Sequence, residues 1–291
     1  MNIESKILGK QIVYPQRYTP EILVSVPRKL NRETISIDNN NLPFTGFDVW
    51  HAYEFSFLTN SGLPVVGILK IIIPAESSFL VESKSLKIYL NSFNMERYGN
   101  NSAEGISILL EIIKKDISNL LQCDVLLSYF DPQSEVSPFD FSDYLILENE
   151  VGNENIVFTN YNETHELLIS GMGKSGEIKF GTHLLRSNCR ITHQPDWGSA
   201  YIYLKSEYTP TKEGLLKYLV SMRNENHFHE EICEMIYQRL KFYFAPEELM
   251  VACIYTRRGG IDICPVRVSS SNLLPEYLCN CNMLSYKLLR Q

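Results

Sequence analysis

The chain has 291 residues, 44% hydrophobic and 21% charged, enough for one large domain or two smaller ones with full cores. Its 27 Lys and Arg against 34 Asp and Glu give a formal charge of -7, which argues against a nucleic-acid surface, because that needs clustered basic residues. No apolar run approaches the ~20 residues of a membrane span, Met1-Asn2-Ile3-Glu4-Ser5-Lys6 reads as no signal peptide, and the 7 cysteines lack paired spacing, so reduced thiols in the cytoplasm are expected.

In chain order, residues 1–45 read as an irregular lead-in broken by Pro15, Pro20, Pro27 and Pro43. Phe47 to Leu58 and Val65 to Ile73 are rich in strand formers and flank a turn at Thr59-Asn60-Ser61-Gly62, which predicts a hairpin. Ile106, Leu109, Leu110, Ile113, Ile117 and Leu120 recur at helical spacing, predicting a helix over 103–121 with Ser102 as its N-cap. A strand over 124–130 follows. Asp131 to Asn162 is rich in Pro, Ser, Asp, Asn and Glu and reads as a connection.

The pattern then recurs. Strands are expected over 178–185 and 199–208, a helix from Thr209-Pro210 to Met222, and a helix from His229 to Phe244 ended by Pro246. Leu249 to Thr256 and Ile261 to Val268 flank Arg258-Gly259-Gly260 as a closing hairpin. Each half thus reads as strand-strand-helix-helix-strand-strand, an α+β architecture. The expected units are 1–135 and 166–291, joined by 136–165.

Chemistry concentrates in Leu185-Arg186-Ser187-Asn188-Cys189-Arg190-Ile191-Thr192-His193-Gln194-Pro195-Asp196-Trp197-Gly198. A cysteine among small polar residues can act as a nucleophile through its thiolate. Asp196, across a Pro-interrupted turn between proline and tryptophan, stands where partial desolvation could hold a carboxyl protonated as a general acid, and the sequence leaves its protonation state open. From spacing alone a free loop cysteine and a turn-capping aspartate are the commoner explanation. Upstream stands Val81-Glu82-Ser83-Lys84-Ser85-Leu86-Lys87. Gly173-Lys174-Ser175 imitates the end of a phosphate loop, but Leu168 stands where that motif requires glycine. No G-x-G-x-x-G follows a predicted strand, so a Rossmann cofactor site is excluded. His227-x-His229 with Glu230 and Glu231, and Cys279-x-Cys281, lack a complete ligand set, and no metal is expected. Cys123, Cys233 and Cys253 read as small core residues.

The Glu82–Lys87 run and the Cys189–Asp196 pair together resemble the 7-cyano-7-deazaguanine reductases, the NADPH-dependent nitrile reductases of queuosine biosynthesis. The resemblance continues at Pro27-Arg28-Lys29-Leu30-Asn31-Arg32, Asn41-Leu42-Pro43-Phe44, Phe228-His229-Glu230 and Tyr255-Thr256-Arg257-Arg258-Gly259-Gly260. It implies the family's long form, with two tandem tunnelling-fold units packed edge to edge and a site at their interface. It implies Cys189 as the nucleophile that forms a thioimide and Asp196 as the proton donor. Val81, Glu82, Ser83, His229 and Glu230 would bind the deazaguanine, Ser83, Lys84, Arg258 and Gly259 would bind NADPH, and Trp197, Phe228 and His229 would exclude water. A homodimer acting on a small molecule, with no nucleic acid or membrane partner, is the family expectation. Two other readings stand beside it, a cysteine-dependent nitrile hydrolase and a purine- or pterin-binding module without catalysis.

Overall fold

The computed structural model of the chain describes residues 15, 17–151, 156–168 and 175–291. The described part of the lead-in is less irregular than expected, because strand β1 (Ser25–Pro27) and a helical turn α1 (Lys29–Arg32) interrupt it. Strands β2 (Thr45–Leu58) and β3 (Pro64–Pro74) form the expected hairpin. Strand β4 (Phe79–Val81) pairs with β1 and runs directly into helix α2 (Ser83–Asn91). Helix α3 (Ser102–Leu121) has Asn101 as its cap, accepting the Glu104 N–H at 3.0 Å, so Ser102 is the first helical residue instead. Strand β5 (Leu126–Phe130) follows.

The first half therefore returns only one strand to the main sheet after its helices, because Asp131-Pro132 turns the chain away. The connection holds a two-residue strand β6 (Leu145–Ile146) and a helical turn α4 (Leu147–Glu150). The second half has the expected order of β7 (Gly176–Asn188), β8 (Pro195–Ser206), α5 (Lys212–Ser221), α6 (His229–Phe244), β9 (Glu248–Tyr255) and β10 (Ile261–Val268). Helix α5 starts later than expected, because Thr211 caps it by accepting the Gly214 N–H at 3.1 Å, leaving Thr209-Pro210 outside. A short α7 (Glu276–Cys279) ends the ordered elements. The phosphate-loop imitation at Gly173-Lys174 lies outside the described residues.

The two halves share one eight-stranded sheet in the order β5-β3-β2-β10-β9-β8-β7-β6, antiparallel except at β6–β7. The seam is the β2–β10 pair, which runs from Ala52 opposite Ile261 to Thr45 opposite Val268. This is the edge-to-edge union of two tunnelling-fold units. Side chains alternate across the strands. Trp50, Leu69, Ile71 and Ile263 face α2 and α3, while Ala200, Ile202, Val251 and Cys253 face α5 and α6. In α3, Leu109, Ile113, Ile117 and Leu121 recur at four-residue intervals and are fully buried, each contributing about 1.5–3 kcal/mol of apolar transfer. On the reverse face Val49, Ile72, Ile254 and Cys264 pack under Phe141 and Leu278. The seven cysteines are free thiols. Cys233 and Cys253 are core residues as expected, whereas Cys123 is half-buried just beyond α3.

Candidate active site

A cavity of about 360 Å³ opens on the helix side of the seam. Trp50 of β2 and Ile261 and Ile263 of β10 line it from the sheet. Its walls come from four places: the β4–α2 junction, the β7–β8 loop, the start of α6 and the β9–β10 turn. Val81, Glu82, Ser83, Lys84, Cys189, Asp196, His229, Glu230, Arg258 and Gly259 all line this one space. Trp197 does not. It follows Asp196 on β8, so it points to the other side of the sheet, where the guanidiniums of Arg186 and Arg223 lie 5.7 and 5.1 Å from its ring.

Glu82 is not the strand residue it resembles from its neighbours. It caps α2, its carboxylate accepting the backbone N–H of Lys84 at 3.1 Å and of Ser85 at 2.7 Å. Burial raises its carboxyl above the ordinary 4.5, against the pull of those two N–H groups. Lys84 and Lys87, three residues apart, rise on neighbouring turns of the same helix surface.

Cys189 begins the β7–β8 loop. Its N–H donates to the Gln194 carbonyl at 2.8 Å, and its carbonyl accepts from the His193 N–H at 2.9 Å. Asn188 is stapled to the segment before α6, donating to Glu225 at 2.7 Å and accepting from the His227 N–H at 3.1 Å. Those backbone bonds bring the half-buried thiol beside the start of α6. There Phe228 is the cap residue and its N–H donates to Glu231 at 3.0 Å, so the capping carboxylate is Glu231 and Glu230 is left to face the cavity.

Asp196 is 3% exposed. Desolvation alone does not set its charge. Burial does push its carboxyl up, but the His229 Nε2 at 3.3 Å and the Arg258 guanidinium outweigh burial and hold it below the ordinary 3.8. Arg258 also donates to Gln194 Oε1 at 2.5 Å. The His229 ring stacks on Tyr255 with centroids 3.8 Å apart, and its Nδ1 is buried without a hydrogen-bond partner. His227 instead pairs with Glu225 at 3.4 Å and Glu231 at 3.2 Å, so the two histidines serve different carboxylates. Arg258 and Ile261 close the β9–β10 turn by reciprocal backbone bonds of 2.8 and 3.1 Å, with Gly259 and Gly260 between them at φ +57° and +78°. Such paired positive angles are where glycine is favoured in a two-residue hairpin.

Family models described as nitrile reductase, 7-cyano-7-deazaguanine-reductase N-term, and as QueF-like protein match residues 14–128 and 195–272. A protein of Psychrobacter cryohalolentis named NADPH-dependent 7-cyano-7-deazaguanine reductase is 39% identical over 281 residues, covering 92% of this chain and 95% of its own. Proteins of the same name from Rickettsia bellii and Coxiella burnetii are 38% and 39% identical, covering 94% and 91% of this chain and 96% and 91% of their own. The chain belongs to the 7-cyano-7-deazaguanine reductase family.

Within that reductase architecture, sequence reasoning passed over several cavity residues. Trp50, Ile88, Thr192, Gln194, Ile261 and Ile263 line the space. The β2 and β10 residues reach it through a pairing more than 200 positions apart in the chain, which no local pattern signals. The donor set on the β4–α2 and β9–β10 walls fits an anionic dinucleotide. Lys84, Lys87 and Arg258 concentrate positive charge there, and the Lys87 Nζ lies 2.8 Å from where a side chain at Gly259 would begin, so glycine lets the lysine pack onto the turn. No helix among the described residues is long and apolar enough to cross a membrane.

Proposed function

We propose that this chain reduces the nitrile of 7-cyano-7-deazaguanine to an aminomethyl group at the expense of two NADPH, with Cys189 as nucleophile. The observation that carries the reading is the convergence of Cys189, Asp196, Glu82 and Glu230 on one cavity with a basic wall. The Cys189 sulfur adds to the nitrile carbon, and the nitrile nitrogen takes a proton, giving a thioimide. Asp196, a carboxylate before substrate arrives, takes the proton that the Cys189 thiol gives up and passes it to the nitrile nitrogen, while His229, 3.3 Å away, orients the carboxylate. NADPH, held by the basic wall, would supply one hydride to the thioimide carbon, and a second NADPH, after exchange, would supply one to the imine left when the thiol departs. Departure of the thiol regenerates Cys189 for the next substrate. Glu230 and Glu82 accept the adjacent N–H groups of the purine-like edge, a geometry suited to carboxylates.

Because an imine hydrolyses in water, enclosure by Trp50, Phe228 and His229 serves the chemistry. Ser83, Lys84, Arg258 and Gly259 hold the cofactor, and the positive charges of Lys84 and Arg258 favour reduction over the hydrolytic alternative, which needs no dinucleotide. Cytoplasmic location, a homodimer, and division into units 1–135 and 166–291 belong to the same proposal. The test is intact-protein mass spectrometry after mixing with 7-cyano-7-deazaguanine in the absence of NADPH. An adduct mapped to Cys189 and missing from Cys189→Ala is expected. Turnover by wild type with no adduct under any quench would overturn the covalent route.

A further inference from the structure

The Pro27–Arg32 stretch contributes two arginines to an ionic network buried behind the cavity. Arg28 donates to Asp48 at 2.5 Å and to Ser77 at 3.1 Å. Arg32 grips Glu234 through Nε at 2.9 Å and Nη2 at 2.8 Å. Arg267 of β10 joins the two acids, reaching Asp48 at 2.8 Å and Glu234 at 2.9 Å. All five side chains are 3% exposed or less. Three guanidiniums therefore face two carboxylates, and an interior surplus of positive charge is costly unless an anion answers it.

The answering group is one helical turn away. Glu230 stands four residues before Glu234 on α6, on the same helix face, and is itself buried at the cavity wall. The charged groups facing it are Asp48 of β2, Arg28 ahead of α1 and Arg267 of β10. Among them Arg28 is distinctive, because its Nη1 is buried with no hydrogen-bond partner, 3.8 Å from Glu234.

We propose that Arg28 is a positioning residue for substrate recognition, whose charge, set into this network, lets Glu230 become the anion that accepts the substrate's paired N–H groups. The proposal rests on the reading of Glu230 as a substrate-gripping carboxylate. Burial and then Asp48 push the Glu230 carboxyl up to about 8, while Arg28 and Arg267 oppose them. A carboxyl raised this far is largely protonated near neutral pH before substrate binds, so it answers the buried positive charge only once it ionises, and gripping the substrate's N–H groups releases the proton. Affinity therefore rises with pH and levels off once Glu230 ionises unaided. Removing Arg28 moves that plateau to higher pH, and each unit of movement weakens binding at neutral pH about tenfold.

The experiment is equilibrium binding of 7-cyano-7-deazaguanine across neutral to alkaline pH, in a Cys189→Ala background so that no covalent adduct forms. Arg28→Met is expected to bind about tenfold more weakly near neutral pH, to recover at alkaline pH, and to be largely rescued by Arg28→Lys. An equal loss at every pH, the signature of a merely structural role, overturns the proposal, as does no loss. Asp48→Asn, which keeps the shape and removes a negative neighbour, is expected to move the plateau to lower pH. It decides the matter if Arg28→Met does not fold, and an unmoved or raised plateau overturns the proposal. A parent that binds no substrate at any pH overturns both this proposal and the reading of the cavity it rests on.

Discussion

Replacing Arg258 by Met is expected to speed formation of the Cys189 adduct while weakening the use of NADPH. Asp196 lies between His229, whose Nε2 is on Oδ2, and the Arg258 guanidinium on Oδ1. Opposite unit charges about 4 Å apart interact by about 4 kcal/mol at an effective dielectric near 20. The Arg258 side chain is 36% exposed, so solvent screening cuts this to roughly 1–2 kcal/mol. The sign is definite. The folded-state carboxyl is depressed, and losing the Arg258 cation raises it, so a larger fraction carries a proton at neutral pH. Part of that gain is offset because a higher-pKa acid is a weaker donor. The net expectation is about three- to tenfold faster adduct formation. The assay is rapid mixing with substrate in the absence of NADPH, acid quench and intact mass, beside a thermal melt to confirm the fold. Adduct formation unchanged or slowed in a folded Arg258→Met variant would refute the electrostatic argument.

Glu82→Ala removes the acceptor for two N–H groups at the start of α2, and is expected to cost about 0.5–2 kcal/mol in a denaturant titration as well as raising KM for the deazaguanine. Gly260→Ala places a Cβ 2.4 Å from the Glu54 side-chain carboxyl carbon at φ +78°, so a loss of about 1–3 kcal/mol and a raised KM for NADPH are expected, read by melting and initial rates. His51 is buried beside Asp262 and Lys287, and burial first, then Lys287, lowers its imidazole from 6.5 to about 4. The unfolded chain binds that proton before the folded one does, so stability is present above about 6.5 and falls as the pH drops toward 4, by up to roughly 3 kcal/mol. His51→Gln should flatten that slope in melts across this window, and an unchanged slope would assign the acid loss to other groups.

Elements with strong periodicity were legible from the sequence. The β2–β3 hairpin, both ends of α6 and both ends of β10 lie at or within a few residues of where alternation and helical spacing put them. Helix α2 hid its cap because glutamate is not among the residues that usually fill that position, and its carboxylate turns out to bond Lys84 and Ser85. Trp197 was misplaced because β8 begins at Pro195, so strict alternation sends it away from Asp196. The ionisation of Asp196 was not legible at all. Desolvation is written locally in Pro195 and Trp197, but the opposing partners, His229 and Arg258, arrive from α6 and the β9–β10 turn, 33 and 62 residues away. The same holds for Arg28 and Arg32, whose partner Glu234 is 202 residues from Arg32. The local pattern marked Cys189 and its neighbours as candidates, whereas long-range pairing sets the charges around them.

The most direct test of the whole account is the stoichiometry of NADPH oxidation on adding 7-cyano-7-deazaguanine, with wild type and Cys189→Ala side by side. The account predicts two NADPH consumed per aminomethyl product formed by wild type, and none by the variant. Product formed by Cys189→Ala at the wild-type rate, or substrate consumed by wild type with NADPH untouched, would contradict it.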